Sequence, residues 1–127
     1  MISGSVQSIP QSGKIVLGSL DAIRRRLYLE INEDVTGTHV PQMRRAILSI
    51  LDGAPSEKWN TVYIDLRACR MVDSMGLNWL FAEIVRLRDA DKEVVVRASS
   101  PAIQRVIEFS GLDRLVTFKF RRRKQTR

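Results

Sequence analysis

The serine of the segment Asp73-Ser74-Met75-Gly76 is the side chain of this sequence best placed to accept a chemical group. If a helix begins here, Asp73 is a good N-cap, because its side-chain oxygen can accept a hydrogen bond from a first-turn N–H. Ser74 then lies in the first turn with its hydroxyl free to face solvent, and Gly76 leaves room for another backbone. A phosphoryl group on Ser74 would bring about −1.5 to −2 charges to a helix N-terminus, which favours anions. The fold should therefore tolerate phosphorylation, whereas a partner docked over Ser74 would be repelled.

The same residues also permit a purely structural interpretation. Serine and aspartate are common at helix starts, so Asp73 and Ser74 could be no more than a capping element. Asp65 and Asp73 could instead form a carboxylate pair, but we expect Asp65 to satisfy loop backbone and Asp73 to cap the helix. The residues alone leave both the phosphorylation site and the plain cap open.

Catalytic constellations are sparse in this sequence. His39 is the only histidine and Cys69 the only cysteine, and nothing orients them as a nucleophile pair, so structural roles are expected for both. The sequence contains no glycine-rich phosphate loop of the GxxxxGK[ST] or GxGxxG kind. It also lacks the CxxC and HExxH spacings of metal sites. We therefore expect no enzyme, no catalytic residue and no metal site.

Size and composition favour one globular domain. The chain has 127 residues, of which 44% are hydrophobic and 28% charged, enough for one compact core. No apolar run is long enough to span a bilayer. Residues 1–13 lack the hydrophobic stretch of a signal peptide and are expected to form a flexible arm. The single cysteine excludes an internal disulfide, which fits a cytoplasmic protein.

The net charge of +7 belongs mainly to the C-terminus. The last nine residues contain six positive charges and no acid, so the rest of the chain carries 7 − 6 = +1. These charges belong to Lys119, Arg121, Arg122, Arg123, Lys124 and Arg127. We expect residues 121–127 to form a solvated basic tail. Membrane contact through this tail is a weaker alternative, and direct nucleic-acid binding is not expected because no recognition motif accompanies the charge.

Hydrophobic periodicity predicts five strands and three helices. Leu27, Leu29 and Ile31 alternate with polar residues, as in a half-buried strand. The strands are expected over residues 14–20, 27–32, 61–66, 93–97 and 116–120. A helix capped by Thr38 or His39 should end before Gly53, a second should follow Asp73, and a third, capped by Ser99 or Ser100, should end at Gly111.

The order of these elements, β-β-α-β-α-β-α-β, predicts a single α/β domain over residues 14–120. Its sheet should be mixed but mostly parallel, with right-handed crossovers and an antiparallel N-terminal edge strand.

Two segments resemble the signature of STAS domains, the fold of anti-sigma factor antagonists: Val62-Tyr63-Ile64-Asp65-Leu66 and Val72-Asp73-Ser74-Met75-Gly76-Leu77. A third, Val106-Ile107-Glu108-Phe109-Ser110-Gly111-Leu112-Asp113-Arg114-Leu115, resembles the segment that ends the penultimate helix of those proteins. The order of elements also agrees, so the resemblance covers residues 14–120.

The resemblance implies a bacterial, cytoplasmic partner-switching regulator of transcription. Such a protein binds an anti-sigma factor that is also a serine kinase. The kinase phosphorylates a serine of the antagonist, which releases the antagonist from the kinase, and a serine phosphatase removes the phosphoryl group. Ser74 corresponds to the phosphoacceptor of the D-S-x-G motif, Asp73 and Gly76 shape its loop, and Asp65 is implied to lie nearby. The resemblance implies no cofactor, because the ATP belongs to the kinase, and a monomer or weak dimer is expected.

The chain departs from the family pattern around this motif. Met75 stands where a small residue is common, and its large side chain is expected to alter the docking surface. The loop Glu33-Asp34-Val35-Thr36 replaces a usual G-E-L-D, so Asp34 is the nearest candidate for the partner-facing acid. Trp79 is unusually large for its place on the helix and is expected to pack in the core. A STAS scaffold or accessory subunit of a stress-signalling or lipid- or anion-transport complex is the alternative function.

Overall fold

The computed structural model of the protein describes residues 6–9 and 15–122, which form one layer of sheet and one layer of helices. The strands are β1 Val6–Ile9, β2 Val16–Asp21, β3 Arg26–Ile31, β4 Thr61–Leu66, β5 Glu93–Ala98 and β6 Thr117–Phe120. The helices are α1 Val40–Asp52, α2 Ser74–Asp89 and α3 Pro101–Ser110, with short 3-10 turns at Ser56–Lys58 and Leu112–Arg114.

The six strands lie side by side in the order of the sequence. β1, β2 and β3 pair antiparallel, whereas β3, β4, β5 and β6 pair parallel through the three helical crossovers. Each crossover leads to the next strand on the same side, from β3 to β4 to β5 to β6. Because every crossover is right-handed, all three connecting helices lie on the same face of the sheet. The other face of the sheet is therefore left without a helix by the described part of the chain.

Strand alternation divides buried side chains between these two faces. Every second residue of the central strands joins the core with the helices, as Leu29, Ile64 and Val96 do. Tyr63 and Val95 are buried but do not belong to that core. They lie on the helix-free face, where Tyr63 stacks on Tyr28 at 5.0 Å between ring centroids.

The predicted fold class is confirmed, and β4 has the predicted bounds. Each of the other four predicted strands is found within two residues of its expected ends. β1 was not predicted, because VQSI has only four residues and two of them are polar. Residues 6–9 therefore differ from the expectation of a flexible arm over residues 1–13. Residues 123–127 of the predicted basic tail lie outside the described residues.

The predicted helix caps agree in part with the structure. Asp73 caps α2, Ser100 rather than Ser99 caps α3 through Ile103 N–H at 3.4 Å, and Gly111 ends α3 in the left-handed conformation. His39 occupies the N-cap position of α1 but makes no side-chain cap. Its Nδ1 instead contacts the carbonyl oxygen of Asp34 at 2.8 Å, which fixes the loop before the helix.

None of the helices within residues 6–9 and 15–122 has the length and hydropathy needed to cross a membrane.

Candidate functional site

Ser74 is the first residue of α2, and its side chain is exposed to solvent. The residue before it, Asp73, has extended backbone, so its carboxylate can fold back over the first turn. One carboxylate oxygen accepts a hydrogen bond from Gly76 N–H at 2.7 Å. The two oxygens also accept from Gly37 N–H, at 3.0 and 3.2 Å. One carboxylate therefore fixes both the start of α2 and the loop that precedes α1.

These hydrogen bonds lower the pKa of Asp73, with the largest contribution from Gly76 N–H and the next from Gly37 N–H. Donors that point at a carboxylate favour its ionised form. A negative charge is thus held at the first turn of α2, on the residue that precedes Ser74.

Backbone hydrogen bonds hold the two loops together in the same place. Val35 N–H donates to Met71 O at 3.1 Å, and Asp73 N–H donates to Val35 O at 3.1 Å. The two loops form an isolated parallel bridge between Val35 and Val72. This pairing brings the first turn of α2 so close that a Cβ on Gly76 would lie 1.9 Å from Val35 O. Glycine at position 76 is required by the close approach of that backbone.

Two further side chains fasten these loops. The carboxylate of Asp34 accepts a hydrogen bond from Arg70 N–H at 2.7 Å. The thiol of Cys69 donates to Glu33 O at 3.1 Å. Burial raises the pKa of Cys69 to about 12, so the thiol remains neutral at physiological pH. Asp34, predicted as a partner-facing acid, is thus engaged in holding the loop.

Exposed methionines lie on both sides of Ser74 along the chain. The side chain of Met75 is 65% exposed and that of Met71 is 46% exposed, although both are apolar. A Cβ on Gly37 would lie 2.8 Å from Met75 Sδ, so the thioether rests on the glycine of the neighbouring loop. The surface around Ser74 therefore combines a free hydroxyl with adaptable apolar groups, as protein-binding surfaces often do.

Asp65 does not join this cluster. Strand alternation places it opposite Ile64 and Leu66, on the helix-free face of the sheet. Its carboxylate accepts hydrogen bonds from Arg67 N–H at 3.0 Å and from the Arg67 guanidinium at 2.9 and 2.7 Å. Burial raises the pKa of Asp65, but the hydrogen bonds from Arg67 outweigh it and the net pKa is lowered. Asp65 satisfies loop backbone, as predicted from the residues, and is not placed beside Ser74.

His39 and Cys69 do not form a nucleophile pair, since each contacts a backbone carbonyl of the loop Glu33–Asp34. Within the described ranges, no group of three or more histidine, cysteine, aspartate and glutamate side chains could hold a metal ion. Trp79 is buried in the core, as expected from its size.

A family model described as "Mlab, STAS domain" matches residues 19–117, which include every part of the site around Ser74. The chain belongs to the STAS domain family. No curated protein sequence matches this STAS domain.

Solved structures share the fold of this STAS domain at low sequence identity. An anti-sigma factor antagonist from Mycobacterium paratuberculosis is 20% identical, with a TM-score of 0.63, 94% of this chain covered and 90% of that chain. The anti-sigma factor antagonist SpoIIAA in its unphosphorylated form is 21% identical, with a TM-score of 0.57 and coverage of 75% and 80%. The Bacillus cell fate determinant SpoIIAA in its phosphorylated form is 18% identical, with a TM-score of 0.54 and coverage of 75% and 83%.

Sequence reasoning missed two residues that build the site, Val35 and Gly37. Both contact the start of α2 across a separation of more than thirty residues. The sequence signals a loop at Thr36-Gly37-Thr38 but not which element that loop meets.

Proposed function

We propose that this STAS domain is an anti-sigma factor antagonist whose partner binding is controlled by phosphorylation of Ser74. The unphosphorylated protein binds an anti-sigma factor that is also a serine kinase, and the sigma factor is thereby released. Transfer of the γ-phosphoryl group of ATP to Ser74 Oγ releases the kinase, and a serine phosphatase restores binding. The observation that carries the proposal is the exposed hydroxyl of Ser74 at the first position of a helix held by Asp73.

The electrostatics of this position suit a switch. A phosphoryl group at the N-terminus of α2 is compatible with the helix dipole, so the domain can remain folded. The carboxylate of Asp73 is engaged with Gly76 and Gly37 and keeps its charge beside the new dianion. A docked partner would have to desolvate both charges. A loss of about 3 kcal/mol across the interface would weaken binding by roughly two orders of magnitude.

The docking surface in this proposal consists of Asp73, Ser74, Met75 and Gly76 with the exposed Met71. Methionine side chains adapt to the shape of a partner, so Met71 and Met75 supply apolar contact on either side of the hydroxyl. Asp34 contributes by holding the loop through Arg70 N–H. Asp65 is not included, because it lies on the other face of the sheet.

The fold likeness supports this role. The similar solved structures are named as anti-sigma factor antagonists, and SpoIIAA is known in unphosphorylated and phosphorylated forms. The proposed partners are an anti-sigma factor with serine kinase activity and a serine phosphatase, and the proposed location is the cytoplasm. The chain itself would act as a regulator and not as an enzyme.

The first experiment is a phosphorylation assay with an anti-sigma factor that has serine kinase activity, the class of partner proposed here. Incubation of wild-type protein with that kinase and ATP should modify Ser74 alone, and Ser74→Ala should abolish the signal. Mass-spectrometric mapping identifies the modified residue. Modification at another residue, or none, would favour the scaffold or accessory-subunit alternative.

A pull-down then tests the switch itself. Ser74→Ala should recover the kinase, whereas Ser74→Glu should recover it at least about tenfold less well. Ser49→Glu places the same charge on the exposed surface of α1 and is the matched control, which should bind like wild type. Equal recovery by Ser74→Ala and Ser74→Glu would contradict a phosphorylation switch.

A further inference from the structure

One face of this mostly parallel sheet has no helix packed against it, which is unusual for parallel strands. Parallel strands are normally covered on both faces, because crossovers supply helices to each side. Here β3, β4, β5 and β6 are parallel, yet all three helices lie on the other face. No helix within residues 6–9 and 15–122 covers this open face, and only side chains of the sheet itself, such as Arg97 over Tyr63, lie on it. Such a surface is expected to meet a partner.

The open face has a defined charge pattern, which follows from the strand register. One row of paired residues crosses the sheet from Leu17 on β2 through Glu30, Asp65 and Arg97 to Lys119 on β6. Acidic residues of this row therefore stand on β3 and β4 and basic residues on β5 and β6, although Arg67, which follows β4, already pairs with Asp65. Glu30 and Lys119 are exposed and form no salt bridge with any described residue.

A second row runs at the other end of the strands, where Asp21 on β2 pairs in register with Arg26 on β3. Arg26 on β3 pairs in register with Thr61 on β4, which pairs with Glu93 on β5. Between these rows lie Tyr28 and Tyr63. Arg97 packs over the Tyr63 ring at 4.7 Å from its centroid. The face thus has an aromatic centre between two rows that carry charge, and only the first row runs from acidic to basic residues across the sheet.

The charge pattern of the first row, from Glu30 to Lys119, is complementary to itself. A two-fold axis parallel to the strands and between β4 and β5 would place β3 of one copy over β6 of the other, and β4 over β5. Positions along the strands are unchanged by that rotation, so residues of one row meet residues of the same row. Glu30 would face Lys119 of the other copy, and Asp65 would face Arg97. Aligned sheet packing of this kind is common in β-sandwiches.

We propose that this face is the interface of a two-fold symmetric homodimer. The four overlapping strands cover about 19 by 20 Å, roughly 400 Å² of flat area per copy, from their spacing and rise. A standard interface buries about 800 Å² per partner, so the dimer is weak and forms only at high protein concentration. This interface is independent of the proposed switch, because Ser74 lies at the start of α2 in the helical layer.

Sedimentation velocity of the full chain tests the dimer. The wild-type sedimentation coefficient should rise toward the dimer value between about 10 µM and about 1 mM protein at low salt, and high salt should weaken association. Glu30→Lys alone and Lys119→Glu alone should each weaken it at least about tenfold, since like charges then meet twice. An equimolar mixture of the two variants should regain association, because each introduced charge meets its opposite.

Matched controls carry the same charge changes on the helical side. Asp89→Lys and Arg45→Glu, both at exposed positions, should associate like wild type, as should Ser74→Glu. Circular dichroism confirms that every variant is folded. The proposal would be overturned if the wild-type protein stayed monomeric to about 1 mM, or if its association did not depend on salt. It would also be overturned if the mixture associated no more strongly than either variant alone.

Discussion

The α-carbon of Gly76 faces the carbonyl oxygen of Val35 so closely that an added Cβ would lie 1.9 Å from it. That oxygen also accepts the hydrogen bond from Asp73 N–H, at 3.1 Å. The first turn of α2 is therefore pressed against the loop that precedes α1. The position of the Ser74 hydroxyl follows from this contact, because Ser74 lies between the two residues that make it.

Gly76→Ala should destabilise the domain strongly. The new methyl group cannot avoid backbone atoms, so the loop or the helix must move, and overpacking of this kind costs at least about 2 kcal/mol. Denaturant unfolding followed by circular dichroism measures the change.

Gly37→Ala is the matched control for that measurement. Its Cβ would lie 2.8 Å from Met75 Sδ, which can rotate away, and 3.3 Å from Met75 Cβ, which needs to move only slightly. Gly37→Ala should therefore cost much less than Gly76→Ala. Equal losses would show that the contact with Val35 is not what requires glycine.

The charge of Asp73 should contribute to stability in a pH-dependent way. The folded-state pKa of Asp73 is lowered by hydrogen bonds from Gly76 and Gly37, below an unfolded value of about 3.9. This stabilisation is complete above the unfolded pKa and is lost as the pH falls through the folded pKa. Asp73→Asn keeps an N-cap acceptor but removes the charge, so its stability should fall less steeply than that of wild type below about pH 4.

Thermal unfolding between about pH 2 and about pH 7 compares the two proteins. Asp113→Asn, in the exposed 3-10 turn far along the chain, controls for loss of a carboxylate. Parallel stability curves for wild type and Asp73→Asn would contradict a depressed pKa at Asp73.

The fold was largely predictable because its elements have strong local patterns. Leu27, Leu29 and Ile31 alternate as strand residues must, and Gly111 marks a helix end that the structure confirms at φ 80°. β1 was missed because a short strand owes its existence to pairing with β2, which no local pattern encodes.

The site was predictable only where its chemistry is local. The Asp73 cap acts within one turn, so its hydrogen bond to Gly76 could be expected. Its second bond, to Gly37, depends on how two crossovers meet at the sheet edge. For Asp65, the resemblance implied a position near Ser74 that the structure does not show. Its place on β4 directs it to the helix-free face of the sheet and separates it from Ser74.

Cys69 should be unreactive toward thiol reagents in the folded protein. Burial raises its pKa to about 12, so its thiolate fraction at about pH 8 is roughly three orders of magnitude below that of a free thiol. Reaction with a disulfide reagent should be slower by about that factor in buffer than in denaturant. A fast reaction in buffer would mean that the loop carrying Cys69 opens readily from Glu33.

Ser74→Glu should leave the domain as stable as wild type while it removes partner binding. The Ser74 side chain is exposed and makes no hydrogen bond with any described residue, so the substitution removes no hydrogen bond. The added negative charge interacts favourably with the N-terminus of α2 but follows the charged Asp73 in the chain, and these effects oppose each other. The free energy of unfolding should therefore stay within about 0.5 kcal/mol of wild type. Denaturant unfolding gives that value on the same samples used for the pull-down. If the free energy of unfolding of Ser74→Glu fell by several kcal/mol, any loss of binding would have to be attributed to unfolding and not to charge at the docking surface.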